Sequence, residues 1–180
     1  MSNKTNLDFK LRLFIIDDSE GFITLHNLIY PDHLLSLESF HHREKTRSTK
    51  IQHKHWVWEK DNIILCSILY TQWEEVYHPQ KFVIKIYVHP DYREQGFGSL
   101  CYDFIIKELE TLNPIKISAM VYEPHLHGIS FMENRGFKNT FKERESSLDL
   151  MAYDPKLYQH KLDHVLEQGF HIVTLSEFRE

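Results

Sequence analysis

Between two runs of different periodicity the chain reads Val88-His89-Pro90-Asp91-Tyr92-Arg93-Glu94-Gln95-Gly96-Phe97-Gly98-Ser99. Two glycines one residue apart let successive backbone amides point into one concavity with no Cβ in the way. The first turn of a following helix has amides without partners inside the helix, and it adds partial positive charge. Together these make a site for an anion, most often phosphate. Arg93 adds a guanidinium that grips phosphate oxygens with a bidentate fork. The pattern is not a P-loop, since no Gly-Lys-Ser/Thr follows, and it lacks the third glycine of a dinucleotide fingerprint. Taken alone, such a glycine pair also suits a tight turn with no ligand.

The elements that must position this turn can be read from periodicity. Residues 10–16 form a first strand, and Asp17, Asp18 and Ser19 supply capping chemistry for a helix over residues 20–29, with Phe22, Leu25, Leu28 and Ile29 at helical spacing. Tyr30-Pro31-Asp32 breaks it, and a second helix covers residues 34–45. Residues 55–58, 63–73 and 81–89 are rich in β-branched and aromatic side chains, split by turns at Lys60-Asp61-Asn62 and His78-Pro79-Gln80, and predict an antiparallel meander. Residues 98–112 return to helical spacing through Cys101, Phe104, Ile105, Leu109 and Leu112, and Asn113-Pro114 stops them. A strand over 115–122, a short helix over 127–134 and an extended stretch over 137–150 follow. Strand, helix and strand across 81–122 predict a right-handed crossover with those two strands parallel. The fold class is α/β (α+β), a mixed, mostly antiparallel twisted sheet with helices on both faces.

Bulk properties exclude several function classes. At 180 residues, 42% apolar and 13% aromatic, the chain suits one packed domain with a small extension. A net charge of −5 gives no basic face for nucleic acid. The local run of Arg43, Lys45, Arg47, Lys50 and Lys54 reads as a solvated helix end or loop. No apolar run approaches the roughly 18 residues of a membrane span, and residues 1–10 lack the apolar core of a signal peptide. The two cysteines, Cys66 and Cys101, sit inside apolar stretches and read as buried thiols, so the expected location is cytoplasmic. Among thirteen histidines, His53-x-His55, His125-x-His127 and His41-His42 are the closest spacings, and no further ligands follow at a set interval. No metal is expected.

Two motifs then carry a resemblance. Arg93, Gly96 and Gly98 meet the Arg/Gln-x-x-Gly-x-Gly/Ala acetyl-CoA-binding motif of the GNAT superfamily, preceded by the Val-x-Pro-x-Tyr run of Val88, Pro90 and Tyr92. Phe131-Met132-Glu133-Asn134-Arg135-Gly136-Phe137 resembles the aromatic-Tyr-Glu-x-x-Gly-Phe signature that ends the family's last helix. The resemblance spans about residues 11–150. It implies that acetyl-CoA is the cosubstrate, with pantetheine along the backbone of Ile86, Tyr87 and Val88. It also implies pyrophosphate on Arg93 and the turn of Glu94, Gln95, Gly96, Phe97, Gly98 and Ser99. The acceptor amine would attack the thioester directly.

The sequence departs from the family where protons move. The position of the usual glutamate base is Phe82, that of the tyrosine acid is Met132, and the helix-opening asparagine is His125. Neither Phe82 nor Met132 transfers a proton. Substitute candidates are Tyr122, Glu123 and His125, each also readable as an ordinary loop residue. Tyr30 and Trp73 are acceptor-pocket candidates, while Trp56 and Trp58 read as core. The function implied is acetyl transfer from acetyl-CoA to a primary amine. The alternative is a non-catalytic acyl-CoA-binding module without the usual acid and base.

An extension follows the domain of residues 1–150. Asp154-Pro155 opens a helix, Tyr158, Leu162, Val165 and Leu166 form its stripe, Gly169 ends it, and residues 171–175 read as a strand. The run from Ser146 to Glu177, which takes in most of this 151–180 unit, resembles the opening of a second domain in tandem members of the family, where a Leu-Asp-Leu strand leads into Asp-Pro and a helix. A lone helix and strand cannot bury their apolar faces unaided, so the expectation is docking on the core sheet or pairing as a homodimer.

Overall fold

A computed structural model describes residues 10–179. The chain divides into two compact units, Met1–Lys138 and Asn139–Glu180. In the first, β1 (Arg12–Leu13), α1 (Ser19–Ile29), α2 (Leu37–Thr46), β2 (Lys54–Lys60), β3 (Ile63–Thr71), β4 (Lys81–Val88), α3 (Phe97–Glu110), β5 (Lys116–Ala119) and α4 (Leu126–Glu133) follow one another. The sheet order is β1-β2-β3-β4-β5. The first four strands are antiparallel neighbours, and β4 runs parallel to β5 through the α3 crossover.

Local chemistry explains the register. Asp61 and Asn62 take positive φ of 52° and 62°, the left-handed pair that a two-residue hairpin needs. Lys60 therefore faces Ile63. One residue later in register, Trp58 opposes Cys66 while Glu59 opposes Ile64, so Leu65 is an extra residue in β3. This bulge turns Leu65 and Cys66 to the same face, and the Leu65 carbonyl accepts from the His89 amide at 2.8 Å.

The sheet is covered on both sides. Phe22, Leu25 and Ile29 of α1 and Phe40 of α2 pack on Val57, Leu69 and Tyr87. On the other face Phe97, Cys101, Ile105 and Leu109 of α3, four apart and so on one stripe, pack on Trp56, Trp58, Ile68 and Phe82. Cys66 and Cys101 are both buried thiols. A hydrogen bond to Cys101, and then burial, push the Cys66 thiol up.

The first strand is shorter than expected, two residues against residues 10–16. Arg12 explains part of this, because its guanidinium grips Asp18 at 2.7 and 2.8 Å and draws the chain into a turn. Residues 139–150, expected as extended, pair with no strand among the described residues. In the second unit Asp154 caps a 3₁₀ turn at Pro155–Tyr158 that leads into α5 (Gln159–Glu167). The expected strand over 171–175 is absent among the described residues, and α6 (Leu175–Phe178) stands at its end. Thr174 and Glu177 form a reciprocal capping box there, which outweighs the short β-branched run before it.

His53 and His55 sit on the α1/α2 side of the sheet. The His55 ring stacks on Phe14 at 4.2 Å and shares a 2.7 Å hydrogen bond with Ser67. Burial first, then neighbouring groups led by Arg47 for His53 and by His53 for His55, pushes both imidazoles down to about 3. The unfolded chain thus takes up these protons first as pH falls, so the stability they confer is complete above about 6.5 and lost towards about 3. The unfolding free energy should fall below pH 6.5 by up to about 1.4 kcal/mol per unit for each ring. Urea titrations at several pH values should show this, and His55→Gln should flatten the slope. Ile105→Ala, at a fully buried position, should cost about 2–5 kcal/mol in the same assay at neutral pH.

Candidate functional site

One edge of β4 changes partner part-way along. It pairs with β5 only from Lys81↔Lys116 to Ile84↔Ala119, while its other edge stays on β3 as far as Cys66↔Val88. Residues 85–88 therefore run on beyond β5 with one backbone edge unpaired by any strand among the described residues, a gap in the ladder on that side. Ile86, Tyr87 and Val88 lie on that stretch.

The chain leaves β4 through a 3₁₀ turn at Pro90–Tyr92, where His89 Nδ1 accepts from the Asp91 amide at 3.3 Å. The exposed Arg93 donates from Nε to the Val88 carbonyl at 3.4 Å, which leaves its terminal nitrogens directed elsewhere. Glu94 takes φ +60° and Gly96 φ +91°, so the turn holds two left-handed residues. Only the second is a glycine, and the first stores strain of about 1–3 kcal/mol. Gly96 caps α3, and its carbonyl accepts from the amides of Ser99 at 3.0 Å and Leu100 at 3.1 Å. Ser99 thus offers an anion its hydroxyl rather than its amide. The Gln95 side chain donates to the Asp91 carbonyl at 3.0 Å and stiffens the loop.

Gly98 serves packing. A Cβ there would lie 3.3 Å from the Phe131 ring of α4 and 4.0 Å from Val88, so its absence lets α3 begin close against α4. The Arg135 guanidinium fixes the same contact from the other side. It lies 3.6 Å over the Phe131 ring and 4.9 Å over Tyr102. It donates to the Phe131 carbonyl at 3.1 Å and to the Ser99 hydroxyl at 2.7 Å. A second cation therefore reaches the opening of α3. The sequence motif contains Arg135, yet only the folded contact marks it out.

Beside the gap lies a group of rings from α1, β4 and the connections after α1 and β5. Tyr30 stands 6.2 Å from Tyr87, 5.2 Å from His26, 5.2 Å from His125 and 6.3 Å from Tyr122. Tyr122 and His125 are 5.5 Å apart. Burial, and then the Arg93 cation, hold the His125 imidazole below its ordinary range, opposed by a hydrogen bond to the Ile29 backbone. The ring is thus neutral near pH 7 and able to accept a proton. Burial pushes the Tyr30 phenol up, with Arg93 opposing. Tyr30, Tyr122 and His125 are brought together; Glu123 is an exposed neighbour in the same loop. Trp73 lies past Thr71, whose partner Val83 is near the start of β4, so it sits at the far end of that strand from Tyr87. Phe82 is buried against Tyr70 at 5.6 Å, and Met132 packs in the α3-side core. Among the described residues no three His, Cys, Asp or Glu side chains gather as a metal-ligand set.

The model of the acetyltransferase (GNAT) family matches residues 21–137, which take in the turn, the gap and the Phe131–Phe137 signature. The chain belongs to the GNAT family. Solved structures agree on the fold of this GNAT protein. A mutant form of a Bacillus halodurans protein aligns at 16% identity and TM-score 0.61, over 77% of this chain and 99% of that one. A ribosomal-protein-alanine N-acetyltransferase from Brucella melitensis biovar Abortus aligns at 17% and 0.57, over 77% and 98%. A glucosamine-6-phosphate N-acetyltransferase from Arabidopsis thaliana aligns at 20% and 0.58, over 78% and 99%. No curated protein sequence matches the chain. Family membership supports acyl transfer as the class of chemistry of this GNAT chain. Among the described residues no helix is long and apolar enough to cross a membrane.

Arg135→Ala should remove both the ring stacking and the Ser99 bond, at a cost of about 1–3 kcal/mol in thermal or urea unfolding. Arg135→Lys should recover less than half of that, because an ammonium cannot stack flat on Phe131.

Proposed function

We propose that this GNAT chain moves an acetyl group from acetyl-CoA to a primary amine by direct attack. The observation that carries the reading is the parting of β4 from β5 after Ile84↔Ala119, immediately before a turn built for an anion. A cosubstrate with an extended amide-bearing arm and a pyrophosphate has the shape and chemistry of that combination. Backbone groups of Ile86, Tyr87 and Val88 would bond the arm as a strand does. Arg93, with the turn of Glu94, Gln95, Gly96, Phe97 and Gly98 and the Ser99 hydroxyl, would hold the phosphates.

Acetyl-CoA supplies an acetyl thioester. The acceptor arrives as an ammonium, and His125, neutral and beside Tyr30, is the group proposed to take its proton. The amine nitrogen then bonds to the carbonyl carbon as the carbon–sulfur bond breaks, and CoA leaves as thiolate. The Tyr122 hydroxyl, next to His125, is proposed to give its proton to the sulfur and to regain one from the nitrogen as the amide forms, while His125 passes the first proton to solvent. Phe82 and Met132, at the positions where the family places a base and an acid, are inert in this scheme.

Calorimetric titration with acetyl-CoA should give micromolar affinity, and the Arg93→Ala, Gly98→Glu double variant should weaken it at least about tenfold. No binding by the folded wild-type chain would remove the reading. His125→Asn should slow amine-dependent CoA release by about 10²–10⁴ with acetyl-CoA affinity retained. In the wild type the acidic limb of that rate should lie below the ordinary imidazole value of about 6.5. A limb at or above that value would rule out His125 as the base.

A further inference from the structure

The face of β4 that carries Tyr87 also carries Lys85, two residues earlier and therefore about 7 Å along the same side. Lys85 is half-buried beneath α1 and α2. Among the described residues it pairs with no carboxylate. Arg43 of α2, lying 5.6 Å over the Phe40 ring, is its electrostatic neighbour, and no carboxylate appears among the groups that act on it. His26, 5.9 Å from Tyr87, feels Arg43, Lys85 and His33. His53, whose buried Nδ1 has no partner in the described structure, feels Arg47, Arg43 and Lys85.

A half-buried ammonium without a counter-ion is costly to keep, and natural folds pair such groups or use them. The carboxylates that reach this group are engaged elsewhere. Glu44 bonds Arg47, Asp18 bonds Arg12, and Glu74 accepts from the Ser48 amide. The residual charge is positive and lies on the acceptor side of β4, two positions from the ring that touches Tyr30. This surplus is local, since the whole chain carries −5.

We infer that the acceptor is a small amine whose body carries a carboxylate or a phosphate, held by Lys85 and Arg43 with His26 as a further polar partner. The inference rests on the transfer reading only for the identity of the amine as the reacting group. A charge-assisted bond to Lys85 binds either anion. The sequence shows Lys85 as the one charged residue inside the run Phe82–Val88, but not which groups surround it.

The test uses the full chain and matched amines. γ-Aminobutyrate is compared with its amide, phosphoethanolamine with ethanolamine, and putrescine serves as the cationic control. With acetyl-CoA saturating, kcat/KM for at least one anionic amine should exceed that for its neutral partner by at least about tenfold. The carboxylate and phosphate pairs tell which anion is meant. Lys85→Met should bring the ratio within about twofold by raising KM, with acetyl-CoA affinity unaltered, and Lys85→Arg should restore most of it. Arg43→Gln, at an exposed helical site, repeats the test where folding is not at stake. A second arm reads binding of the same amines by calorimetry to the CoA-saturated chain, without turnover. CoA release that is equal or faster with the neutral or cationic amines would overturn the inference and leave acetyl transfer standing. Lys85-dependent binding of an anionic amine with no CoA release from any amine would leave the inference and remove the transfer reading. Absence of preferential anion binding in both arms overturns the inference as well.

Discussion

A strand that loses its neighbour on one side must keep its backbone amides and carbonyls satisfied by other means, and β4 is placed so that it loses only one. Up to Val88 its far edge is held by β3, and the Leu65 carbonyl of the bulge then takes the His89 amide at 2.8 Å. The near edge, past Ile84↔Ala119, is left beside a gap. Everything that gives the site its form follows from this asymmetry. The turn starts where β3 releases the chain, α3 opens where the turn ends, and the Tyr30–Tyr87 contact stands at the mouth of the gap. Without the support of β3 the open edge would be a frayed strand rather than a preorganised one.

The two covers of the sheet have different jobs. The α3 side is apolar and close-packed, with Phe97, Cys101, Ile105 and Leu109 seated on the two tryptophans of β2, and it fixes the position of the turn. The α1/α2 side mixes an aromatic core with His26, His53, His55 and Lys85, and it borders the ring group at Tyr30. On the proposed reading, the first cover holds what every turnover shares and the second decides which amine is taken. Polar groups are tolerated on that side because the imidazoles are kept neutral and Ser67 satisfies His55.

Much of this was legible in the sequence. The meander, the crossover and the helix stripe followed from period, and the Asp61-Asn62 turn from its residue types, because these are local properties that the sheet only confirmed. The glycines at 96 and 98 stood out as a pair, though their separate uses, a left-handed φ at one and a close helix contact at the other, appear only in three dimensions. The surroundings of Arg135 and Lys85 could not be read, since their meaning lies in what is absent or stacked around them. Residues 171–175 form no strand for a physical reason: a β-branched run favours a strand only if a neighbouring edge is there to pair with it. A Thr–Glu capping box needs nothing but its own four residues.

The bulge at Leu65 has an implication for how such a protein changes over generations. Because one extra residue resets the alternation of β3, Ile64 before it and Leu69 after it both face α1 and α2, while Leu65 and Cys66 face α3. Drift in α1, α2 or the strand positions beneath them can then be absorbed without moving the Leu65–His89 tether. On the proposed reading, a lineage built this way can exchange one acceptor for another by a few substitutions around Lys85 and Tyr30, while the half of the machine that holds the cosubstrate stays in place.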